Sequence, residues 1–160
     1  MPVTRVVLLI TLLALAATSA ASAGSRFAGN VCALIPTKQV TRVVGSPSHC
    51  TKAPTTPGPG STMYVGNWAG PAGSPPLQLT ISVYSDQGFL QLAKRNLKQG
   101  LPGGTPKSVA GIGSAAYEAS GAGSTGIHFS VGKYVAYLSL GKPRATTSLE
   151  ALAKTIAARL

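Results

Sequence analysis

The sequence predicts an α+β fold, an antiparallel sheet with helices packed on one face, in the approximate order α-β-β-α-β-β-β-α. Three observations carry that expectation. Leu77, Leu79, Ile81 and Val83 alternate with Gln78, Thr80, Ser82 and Tyr84, the period of a strand with one apolar face. Residues 126–140, "GIHFSVGKYVAYLSL", read as a hairpin turning at Gly132-Lys133, with glycine where a type II′ turn needs it. Leu149, Leu152, Ala153, Ile156 and Leu160 instead fall on one helical stripe, which must pack on something apolar. Strands with one apolar face and helices with one apolar stripe make a layered α+β domain.

Residues 1–23 read as an export leader. Arg5 gives the positive flank, residues 6–17 an apolar stretch, and "ASA" at 21–23 a small-x-small cleavage site, so the exported chain is expected to begin at Gly24. The alternative is an uncleaved leader that anchors the protein to the outer face of a membrane, since residues 6–23 carry no charge. No later stretch is long and apolar enough to span, so residues 24–160 are expected to form one secreted domain.

The remaining elements follow in chain order. Residues 32–45 read as a first helix, with Pro36 early, Val40, Val43 and Val44 on one face, Lys38 and Arg42 on the other, and Gly45 as its left-handed end. Residues 46–61, rich in Pro, Gly and Thr, read as a loop. Residues 61–70 form a strand with Tyr64 and Trp68 on one face, and the strand at 77–85 comes next. Residues 85–100 make a second helix capped by Ser85 or Asp86. Phe89, Leu90, Ala93 and Leu97 share one side of it, and Lys94, Arg95 and Lys98 the other. In the hairpin His128 falls on the polar side, an exposed surface histidine. The last helix, 146–160, opens with a Thr147–Glu150 capping box, and Lys154 and Arg159 lie towards its negative end.

Cys32 and Cys50 are the only cysteines. Gly29, Asn30 and Val31 precede Cys32, well beyond the apolar stretch, so they do not form a lipidation site. An even pair in an oxidising compartment reads as a disulfide, contributing about 3 kcal/mol by the chain-entropy model. Two cysteines with His49 and His128 are too few for a metal centre, and no Cys-x-x-Cys exists.

Fourteen Lys and Arg against three acids give a formal charge of +11, one less once Arg5 is removed. Such a balance favours anionic partners. With Asp86, Glu118 and Glu150 as the only acids, a glycosidase pair or a divalent-metal cluster has almost nothing to draw on. No Gly-x-Ser-x-Gly is present, and a hydrolase would have to rely on His49 or His128. "GAGSTG" (121–126) and "GIGSAA" (111–116) match the glycine spacing of a dinucleotide turn, but an extended segment rather than a helix follows each. The first is expected to be a flexible loop. No cofactor is called for. Tyr64, Trp68, Tyr84 and Tyr134 offer stacking faces or sheet packing equally well, and no motif for specific nucleic-acid binding accompanies them.

"CALIPTKQVTRVVG", a later cysteine, a Trp-bearing strand, "VAGIGSAAY" (109–117) and a hairpin together resemble a group of exported actinobacterial domains of unknown function, many of them lipoproteins. The resemblance implies a small α+β domain with paired cysteines, in which the "GIGSAAY" segment is a turn leading into a strand. It carries no catalytic residues. The resulting expectation is a secreted, non-catalytic binding module of a bacterial cell envelope. Its partner would be an anionic envelope polymer or an envelope protein, met at Lys94, Arg95, Lys98 and the exposed aromatics of the sheet. The alternatives are a carrier of an apolar small molecule between sheet and helices, or a small extracellular hydrolase.

Overall fold

A computed structural model describes residues 27–74, 76–121, 123–141 and 146–160, with side chains from Leu149 onward in the last stretch. The leader and its junction at Gly24 lie outside the described residues, as does the Thr147 side chain of the capping box. Among the described residues the architecture is α+β, with one antiparallel sheet of eight strands and three α-helices. No helix among the described residues is long and apolar enough to cross a membrane.

The first helix is interrupted. A short 3-10 helix (Val31–Leu34) ends at Ile35, which is extended at φ −118° and ψ 120°. The α-helix proper, α1, then spans Thr37–Val44. Pro36 explains the break, because its ring drives the preceding residue out of helical geometry. As expected, Gly45 takes the left-handed conformation at φ 80° and closes α1 through its N–H to the Thr41 carbonyl.

Three strands come as a correction to the expected order. The segment read as a loop holds β1 (His49–Lys52) and β2 (Thr56–Gly58), and a two-residue β5 (Lys107–Ser108) follows the second helix. All three are short, exposed edge pieces. None buries a full face, so none shows alternation, and Pro57 sits where an edge strand tolerates it. The longer strands are β3 (Ser61–Ala69), β4 (Leu77–Tyr84), β6 (Ala115–Gly121), β7 (Ser124–Val131) and β8 (Tyr134–Gly141). The sheet order is β1-β3-β4-β8-β7-β6-β5, with β2 also paired to β3. The "GAGSTG" segment is not a loose loop. Gly121 pairs with Ser124, so it closes the β6–β7 hairpin. Gly111 and Gly113 do form a turn that runs into β6. The expected β7–β8 hairpin is present, with Gly132 at φ 55°.

The two α-helices that flank the sheet sequence, α1 and α3 (Thr146–Ala157), cover one face. Leu77, Leu79, Ile81, Ile127, Phe129, Ala136, Leu138 and Leu140 meet Val40, Val44, Leu149, Leu152 and Ile156 there in one buried cluster. Trp68 is 3% exposed within it and Tyr134 is buried too, so neither offers a stacking face to a ligand. Arg159 Nη1 donates to the Ala33 and Leu34 carbonyls at 3.0 and 3.2 Å, tying the end of α3 to the 3-10 helix.

The remaining helix corrects the one-face expectation. α2 (Gln87–Arg95) is capped by Asp86, whose Oδ1 accepts the Phe89 N–H at 2.9 Å. Its buried residue Leu90, with Leu97 beyond its end, packs on Val135 beside Tyr84, Ala115 and Tyr117. These sheet residues occupy the alternate positions of their strands, so α2 lies on the face opposite α1 and α3. β8 is apolar on both sides, which a reading of one apolar face per strand overlooks. Phe89 is 45% exposed and does not join this contact.

Cys32 and Cys50 form the expected disulfide, with Cα atoms 5.8 Å apart. It joins the 3-10 helix to edge strand β1, where Cys50 stands opposite Trp68. Replacing both cysteines by serine is expected to cost about 3 kcal/mol in urea unfolding, given a loop of 18 residues. An unchanged midpoint would show that the edge strand is held by its hydrogen bonds to β3 alone.

Candidate functional site

The face carrying α2 is only partly covered, and the uncovered part is a groove of about 410 Å³. Its floor is built by strand alternation. Thr80, Ser82 and Tyr84 of β4, Val135 and Tyr137 of β8, and His128 of β7 all point to the same side of the sheet. Its wall comes from α2 and the turn beyond it, through Ala93, Asn96, Gln99 and Gly100. The helix stops at Arg95 and the chain continues as a turn, which opens the groove.

One cross-strand row organises this floor. Tyr117 stands opposite His128, His128 opposite Tyr137, and Tyr137 opposite Thr80. The His128 and Tyr137 rings meet edge to face at 5.6 Å. Tyr137 lies over Gly126, where a Cβ would come within 2.8 Å of its ring and hydroxyl. Glycine at that position is what lets the phenol lie down along the sheet.

His128 is therefore not the exposed surface histidine that alternation implies. The turn after α2 half-buries it, and its Nδ1 is shielded from solvent with no hydrogen-bond partner. Burial lowers its pKa from the ordinary 6.5, against a smaller opposing effect of the Leu97 and Gln99 backbone. Burial likewise raises the Tyr137 pKa above 10, partly offset by a hydrogen bond with Ser139. Both groups are neutral at pH 7.

No carboxylate lines this groove. A serine, a phenol and an imidazole are present, but no acid orients the ring as a catalytic base would require. His49, the other candidate base, is exposed on β1 at the far edge of the sheet. The site is equipped to hydrogen-bond through uncharged groups that both donate and accept, and to lay aromatic rings beside a bound molecule.

Of the basic residues read from sequence, Lys98 lies beside the groove, over Tyr117, the cross-strand neighbour of His128. Its Nζ lies 4.9 Å from the centroid of the Tyr117 ring, a cation–π contact next to His128. Lys94, one turn earlier, is half-buried, and Arg95 is exposed on the outer side of α2. Sequence reasoning missed Tyr117, Tyr137, Asn96 and Gln99. The available signal was limited to Tyr137, which alternates with the buried Ala136 and Leu138; Tyr117 shares its side of β6 with Ala115 and Ala119, and no pattern marks it. Comparison with family models, curated proteins and solved structures finds no match to this chain.

A histidine with a lowered folded pKa binds fewer protons folded than unfolded, so stability falls as pH drops through 6.5 towards the folded value. Urea unfolding between pH 8 and pH 5 is expected to show this decline, and His128→Gln to remove its contribution. The same decline in the variant would mean that the ring is free to protonate in place.

Proposed function

We propose that this protein is a non-catalytic binding module of a bacterial cell envelope, which holds a segment of an anionic, hydroxyl-rich polymer along the α2 face. The observation that carries this reading is the groove of about 410 Å³, lined by hydroxyls, amides and aromatic rings, with Lys98 beside it over Tyr117. Lys94 and Arg95 extend the positive surface along the helix. Uncharged side chains that donate and accept suit a polyhydroxylated ligand, while the cations act on its charge and raise the encounter rate. The export leader expected over residues 1–23, the disulfide and the likeness to exported actinobacterial domains support an envelope location. Cleavage at Gly24 would free the protein; retention would hold it at the membrane's outer face.

The carrier reading asks for room between the sheet and α1 and α3. That interface is filled by Leu79, Ile81, Ile127, Phe129, Leu138 and Leu152, all fully buried. The groove under α2 sets hydroxyl and amide groups beside aromatic and aliphatic carbon, a mixed lining that suits a sugar-like polymer.

Binding to dextran sulfate, measured against neutral dextran, tests the proposal. Affinity for the charged polymer is expected to fall steeply with added salt as counterions are no longer released with profit. The triple variant Lys94→Gln, Arg95→Gln, Lys98→Gln should weaken it by roughly tenfold or more. Equal affinity in the variant, or equal binding to both polymers, would contradict an anionic partner at this surface.

A further inference from the structure

A second groove, also of about 410 Å³, lies on the other side of the sheet near its β5–β6 edge, lined by Thr105, Lys107, Glu118, Ala119, Ser120 and Glu150. The chain has only three acids, and the third, Asp86, is the cap of α2. Both remaining carboxylates thus meet in one groove of a strongly basic protein. Glu118 reaches it from the middle of β6, between Lys107 on one side and Ile127 on the other. Glu150 reaches it from the first turns of α3.

Glu118 is 8% exposed, yet its Oε1 has no hydrogen-bond partner. A buried carboxylate oxygen without a donor is costly, and a second carboxylate nearby adds repulsion. A positive ligand between the two acids would relieve both penalties.

We propose that Glu118 and Glu150 hold a hard divalent cation of the calcium class, completed by the hydroxyls of Thr105 and Ser120 and by water. Every one of these donors is oxygen, which selects calcium or magnesium over softer metals. An open groove with few fixed ligands suits the flexible coordination of calcium rather than the strict octahedron of magnesium. Ser120 Oγ is already fixed by Thr125 Oγ1 at 2.8 Å, with a lone pair to spare. Lys107 is exposed and free to turn towards solvent. No group of three or more His, Cys, Asp or Glu exists among the described residues, so the site is weak. Its dissociation constant belongs with extracellular calcium modules, on the order of 10⁻⁴ to 10⁻³ M.

Thermal unfolding of the purified protein in about 10 mM calcium chloride, against sodium chloride of matched ionic strength, tests this directly. The calcium-specific rise in Tm is expected to be roughly 4 to 9 °C, by ligand linkage to the folded state. Glu150→Gln keeps the length and polarity of a half-buried side chain and should abolish that rise, as should Glu118→Gln. An equal rise in matched sodium chloride, no rise in the wild type, or a full rise in Glu150→Gln would each overturn the proposal.

Discussion

The pairing of β4 with β8 is the contact that the rest of this structure depends on. Leu77 stands opposite Leu140 and Val83 opposite Tyr134, so the two strands run in register along almost their whole length. This long-range ladder joins the β3–β4 hairpin, from the first half of the chain, to the β6–β7–β8 meander from the second. Closing so long a loop costs entropy before any contact compensates it. Compensation comes from Leu79, Ile81, Ala136 and Leu138, all fully buried where the strands meet. Without that seam there would be two small sheets, each with an unprotected edge.

The same seam determines where the helices go. Its inner face takes α1 and α3, with the disulfide and Arg159 holding the N-terminal turn against them. Its outer face offers Val135 beside Tyr84, which receives Leu90 and Leu97. α2 is too short to cover the outer face, and the uncovered remainder of that face is the candidate site. The groove-lining residues Thr80, Ser82, His128 and Tyr137 are thus the alternate positions of the strands that build the core. Packing and site are two sides of one ladder.

Much of this was legible in the residues, and the failures share a physical cause. The strand at β4, the β7–β8 hairpin and the stripe of α3 each rest on a local pattern that one buried face imposes, while the Asp86 cap and the disulfide follow from residue type and count. The edge strands β1, β2 and β5 bury no face and left no pattern. Placing α2 required knowing that β8 is apolar on both sides, because Val135 sits between Tyr134 and Ala136 in a run where alternation is blurred. His128 looked exposed because it alternates with the apolar Ile127 and Phe129; its burial comes from a turn about thirty residues earlier in the chain. The convergence of Glu118 with Glu150 likewise depends on tertiary contact between β6 and α3, which spacing along the sequence does not encode.

The measurement that bears most directly on this account is amide NMR of the protein titrated with an anionic polysaccharide. Shift changes should concentrate at Ser82, Tyr84, Gln99, Gly100 and His128, with the α1 and α3 face unmoved. Changes centred on the helices of that opposite face, with the α2 groove silent, would contradict the assignment of the binding surface.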